Sequence, residues 1–89
     1  MKTTPTTPAP RPIRVIAAEI RADWTNVYYG AEPYLDAMGA LNTMDDYYFL
    51  DSAENIVARF LVNAGTWRGE TARRIKSELR AMTTKGAKR

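Results

Sequence analysis

Eighty-nine residues with 45% hydrophobic and 26% charged side chains make one ordinary globular domain, with a core just sufficient for a stability of about 5–10 kcal/mol and no room for a second domain. The chain has neither cysteine nor histidine, which removes disulfides, thiolate or imidazole zinc sites, Cys/His and Ser/His/Asp nucleophile systems and the imidazole pH switch. The net charge of +3 hides a segregation: residues 15–64 carry eight acids against Arg21 and Arg59, whereas residues 65–89 carry eight cations against Glu70 and Glu78.

From the N-terminus, MKTTPTTPAPRP has no apolar core of a secretion signal, and no apolar run approaches the roughly 18 residues that a membrane span needs. The expectation is a cytoplasmic protein with no membrane partner. Residues 1–12 hold four of the five prolines and four threonines, a composition that favours extended polyproline II over packing and reads as a disordered tail. As a ligand for an aromatic groove, its proline runs are too short to be distinctive.

Pro12 suits the first position of a helix, because its missing N–H has no partner there anyway. Ile13, Ile16, Ala17, Ile20 and Trp24 then form one stripe at helical spacing, with Trp24 closing it as a core anchor. Residues 25–30 break the pattern. Gly30 and Glu32-Pro33 signal a turn into a second helix with Pro33 at its first position and Tyr34, Leu35, Met38 and Leu41 inward, ending near Asn42. Gly39 weakens that helix by about 1 kcal/mol relative to alanine and suggests the close approach of a neighbouring backbone.

Residues 42–50 fit a loop, a 3₁₀ turn or a brief extended piece, and are treated as loop. Asp51-Ser-Ala-Glu54 matches a capping box ahead of a third helix, whose stripe is Ala53, Ile56, Val57, Phe60, Leu61 and Ala64 and whose left-handed terminator is Gly65. Thr66 caps a fourth helix, TWRGETARRIKSELRAM, with Trp67, Thr71, Ile75, Leu79 and Met82 inward. Residues 83–89 read as a fraying basic tail. The fold expected is all-α: a compact bundle of four short helices over residues 13–82, preceded by the Pro/Thr-rich disordered tail.

Function is less legible. On the fourth helix, Glu70, Arg74 and Glu78 make an i, i+4 row suited to ion pairs, while Arg73, Lys76 and Arg80 share a strip with no acidic neighbour on that helix. A solvated helix face is the plainer account of such a strip, and contact with phosphates is the functional one. Arg68 falls in the apolar sector, either pairing with Asp45, Asp46 or Asp51 or standing out beside Trp67 as an interface anchor. The last two helices, joined at Gly65, have the outline of a helix-turn-helix. With no Asn or Gln in the fourth helix to read adenine, binding would carry little base preference.

Six of the nine aromatics, Tyr28, Tyr29, Tyr34, Tyr47, Tyr48 and Phe49, crowd residues 28–49 of the acidic middle. Tyr28, Tyr29, Tyr47 and Tyr48, with Asp45 and Asp46, compose a surface suited to a basic protein partner, against the plainer account that the tyrosines plug the ends of the bundle. Asp45, Asp46, Asp51 and Glu54 lack the ligand spacing and central glycine of a calcium loop. No metal, cofactor or enzymatic activity is implied.

IRADWTNVYYGAEPYLDAMGALN, DSAENIVARFL and NAGTWRGETARRIKSELRAM resemble a family of small uncharacterised proteins encoded by bacteriophages and mobile elements of Gram-positive bacteria, over roughly residues 13–82. That resemblance implies action inside a bacterial host cell and a regulatory or host-directed role, and carries no site residues with it. The leading expectation is a non-enzymatic binding protein using Arg68, Arg73, Lys76, Arg80 and Lys85 on nucleic-acid phosphates. The alternative is a module that binds or inhibits a host protein through the tyrosine-rich surface, and a third is self-association.

Overall fold

The computed structural model of the protein describes residues 11–87, with side chains through Thr83. Its elements are α1 (Ile13–Asp23), α2 (Glu32–Met38), β1 (Tyr47–Tyr48), β2 (Asp51–Ser52), α3 (Ala53–Val62) and α4 (Glu70–Ala87). The fold is mostly helical, but the all-α expectation needs correction. Residues 47–52 form an antiparallel hairpin in which Tyr47 pairs with Ser52 and Tyr48 with Asp51. Aromatic residues fit a pleated, half-buried surface, and the chain reverses through Phe49 and Leu50 alone.

The apolar stripes of α1 and α3 are buried as expected. Ile13, Ile16 and Ile20 of α1, Trp24 at its C-terminal end, and Val57 and Phe60 of α3 join Leu35, Met38, Ile75 and Leu79 in one buried cluster. Close packing runs round a ring, α1 to α2 to α3 to α4 and back to α1. Trp67 stacks on Trp24 with centroids 5.7 Å apart, and Trp24 meets Phe60 edge-on at 6.2 Å.

Helix ends depart from expectation in several places. Ser52, not Asp51, caps α3, its hydroxyl accepting the Asn55 N–H at 3.1 Å, because the helix begins at Ala53, directly after the hairpin's second strand. The third helix ends at Asn63 with right-handed geometry, and Gly65 has no positive φ. Gly69 does, at φ 113°. A left-handed glycine there turns the chain before it can coil, so α4 starts at Glu70 instead of Thr66, with the Arg73 N–H donating to the Gly69 carbonyl at 3.0 Å. The link of residues 63–69 is therefore longer than the three or four residues of a helix-turn-helix, which removes that outline. At its other end α4 continues to Ala87 rather than fraying after Met82, since no proline interrupts it.

The second helix stops at Met38, short of Asn42, and nothing from another element lies within 4 Å of where a Gly39 Cβ would be. The stretch it releases satisfies the start of α1. The Ile13 and Arg14 N–H groups donate to the Asn42 and Leu41 carbonyls, and those of Val15 and Ile16 to Pro12, so all four donors that a helix start leaves open find acceptors.

Arg11, inside the expected tail, joins the fold: its guanidinium grips Glu78 through two bonds of 3.0 and 2.8 Å and Glu19 at 2.9 Å. The remainder of that tail, residues 1–10, lies outside the described residues. Glu19 also takes Arg74. Arg74 and Glu78 thus pair across to α1 and its approach, not along their own helix.

Candidate nucleic-acid interface

Two turns separate Arg73 from Arg80 on α4, which puts both on one side, and both are exposed. Arg73 makes no ion pair among the described residues. Lys76 departs from the expected strip by folding back over the helix start. Its ammonium donates to the Trp67 carbonyl at 2.7 Å and lies 5.8 Å from the centre of the Trp67 ring. The late start of α4 explains this, because residues 67–69 bend across the first turn and leave a backbone carbonyl without a helical partner.

Burial, then the nearby charges of Arg80 and Arg68, lower the proton affinity of Lys76. The charges of Arg80 and Arg68 thus bear on Lys76, whose ammonium is satisfied by a carbonyl instead of a carboxylate. Arg68 is exposed and pairs with none of Asp45, Asp46 and Asp51. The expectation that it does so fails because Arg68 precedes the helix and does not follow its wheel. It borders a polar cleft of about 400 Å³ with Asp23, Asn26 and Thr66. In that cleft the Trp67 indole N–H donates to the Asp23 carboxylate at 2.8 Å. Lys85 lies on the last turns of α4, with its side chain outside the described residues.

The tyrosine-rich residues divide into two groups. Tyr28 and Tyr29 pack ring against ring at 4.8 Å in the α1–α2 connection. Gly30 makes room for them: a Cβ there would sit 2.5 Å from the Tyr28 ring and 3.0 Å from the Asn63 amide oxygen, which places this pair at the C-terminal end of α3. Tyr47 and Tyr48 lie at the N-terminal end, about 15 Å away at 1.5 Å of rise per residue. Tyr29 and Tyr47 are well exposed, whereas Tyr48 is half-buried against the core.

Asp45 is exposed, but Asp46 has an internal task. Its carboxylate accepts the N–H groups of Asn42 and Thr43 at 2.8 and 3.1 Å, which hold it below the usual aspartate range. The hairpin tip, Phe49 and Leu50, is more exposed than any of the tyrosines. Sequence reasoning missed it because a two-residue hairpin usually announces itself with Asn-Gly or Asp-Gly, and neither is present. Among the described residues, no group of three carboxylates is placed to hold a metal ion, and no helix is long and apolar enough to cross a membrane. No protein-family model matches the chain, and no curated protein or solved structure proves similar to it.

Proposed function

We propose that the protein is a small non-enzymatic binding protein that contacts nucleic-acid phosphates through the start and basic side of α4, with Arg68, Arg73, Lys76 and Arg80 as the contacts and Lys85 extending them. One observation carries this reading. Lys76 sits half-buried on α4 with the Trp67 carbonyl as its acceptor, and the charges of Arg80 and Arg68 bear on it, a repulsion that a phosphate at Lys76 would relieve. Phosphate contacts of this kind position a protein without reading bases, so little sequence preference is expected. The family resemblance adds a context, regulation inside a bacterial cell that hosts a phage or mobile element.

Titrating the protein into labelled duplex and single-stranded DNA tests the proposal. Binding should appear at about 50 mM salt and weaken steeply by about 200 mM. Arg73→Ala, at an exposed position, should weaken binding to all sequences alike. Absence of binding at the lower salt would end the proposal.

The alternative is a protein-interaction module, favoured by the exposure of Tyr29 and Tyr47. A pull-down from nuclease-treated host lysate separates the two: a partner that survives nuclease and is lost on Tyr47→Ala supports the alternative.

A further inference from the structure

The hairpin ends in apolar side chains that the fold leaves uncovered: Phe49 is 86% exposed and Leu50 94%. Phe49 is held at φ 58°, a left-handed backbone that opposes any residue with a Cβ and that glycine would adopt freely. Next to this tip lies a mostly apolar groove of about 200 Å³, lined by Tyr34, Ala37, Tyr48 and Ile56 and charged at Asp51 and Arg59. Those two charges form no ion pair with one another.

We infer that the hairpin tip of one molecule seats in the groove of a second copy, and the reverse, to make a twofold dimer. Tip and groove share Tyr48 and Asp51, so both lie on one patch, and a twofold contact requires a single self-complementary patch. Charge agrees with shape. The tip is flanked by Asp51 and followed by Glu54, and the receiving groove carries Arg59, so an acid of each copy approaches an arginine of the other. An aromatic side chain covers about 150–250 Å², so Tyr47, Phe49 and Leu50 of two copies bury on the order of 1,000 Å², the low end for a specific interface. The dimer therefore exchanges with monomer instead of being obligate. None of its contacts involves α4, and it stands whether or not the nucleic-acid proposal does.

Sedimentation velocity of the full chain over a wide concentration range, without nucleic acid, tests it. The sedimentation coefficient should climb from the monomer to the dimer value as concentration rises. Phe49→Asp should remain monomeric with an unchanged circular dichroism spectrum. Phe49→Gly, whose glycine accepts the backbone of the turn, should also be monomeric and guards against misfolding of the first variant. Asp51→Arg and Arg59→Asp should each weaken association by about tenfold or more, and the two together should restore it. A chain that stays monomeric at every concentration, or a dimer that survives both Phe49 variants, would overturn the inference.

Discussion

At the scale of single residues, Lys76 and Trp67 carry the most consequence. The folded-state proton affinity of Lys76 lies below its usual pKa of 10.5, so the charged ammonium is held at a cost at neutral pH. As pH rises from the folded pKa toward 10.5, the folded state releases its proton before the unfolded state does, and stability should rise across that window. Urea denaturation in this range should show the rise in the wild type and lose it in Lys76→Met. An anion at Lys76 relieves the repulsion, so a Lys76 pKa followed by NMR should move upward when duplex DNA is added; a pKa that stays put with DNA bound would place the phosphates elsewhere. Trp67 is 2% exposed and stacked on Trp24, so Trp67→Ala should cost about 3–5 kcal/mol in chemical denaturation. Trp67→Phe, which keeps the ring and loses the bond to Asp23, should cost only about 1 kcal/mol.

At the scale of elements, α1 and α4 are clasped by Arg11, Glu19, Arg74 and Glu78. Arg74, then Arg11, hold the Glu19 carboxyl below the usual glutamate range. A carboxyl whose folded pKa is depressed contributes stability that is present above its unfolded value, about 4.3 for glutamate, and lost as pH falls through the folded value. Acid titration of stability should therefore decline below about pH 4, and less steeply in Glu19→Gln; an identical decline in both would show that the clasp contributes nothing. The hairpin makes a different prediction. Phe49→Gly relieves the left-handed backbone but adds chain entropy and loses the ring contact with Tyr48, so stability should change by less than about 1 kcal/mol. Phe49→Val, β-branched at a positive φ, should cost about 1–2 kcal/mol.

Elements were unevenly legible in the sequence, for physical reasons. The stripes of α1 and α3 repeat over two or more turns, and the buried residues are those the stripes name. The start of α4 was not legible, because Trp67 fits the helical wheel by angle although Gly69 turns the backbone after it. In the hairpin, Tyr47 and Tyr48 have strand character, but the Phe49-Leu50 turn lacks the glycine or asparagine that would mark it. At the candidate site, exposed Arg73 follows from the wheel. The inward bond of Lys76 to a backbone carbonyl follows from no pattern of residue types.

On the scale of the whole molecule, charge segregation along the chain becomes only partly a segregation of surfaces. Arg11 and Arg74 are consumed by Glu19 and Glu78, and Arg21 by Glu32 and Asp36, so folding neutralises much of the contrast internally. Arg68 and Arg73 stay exposed without a carboxylate partner among the described residues, on and just before the helix that carries Lys76. The apolar hairpin tip belongs to the opposite, acid-bearing stretch of chain. A division of labour follows in which α4 meets phosphates and the hairpin meets protein, with each testable apart from the other.

The most direct test of the central claim is the salt dependence of DNA affinity in the wild type and in the double variant Arg68→Ala/Arg73→Ala. Each phosphate contact contributes about −0.9 to the slope of log K against log salt, so the variant's slope should be shallower by nearly two. Equal slopes in the two proteins, or no affinity for DNA at about 50 mM salt, would contradict the account.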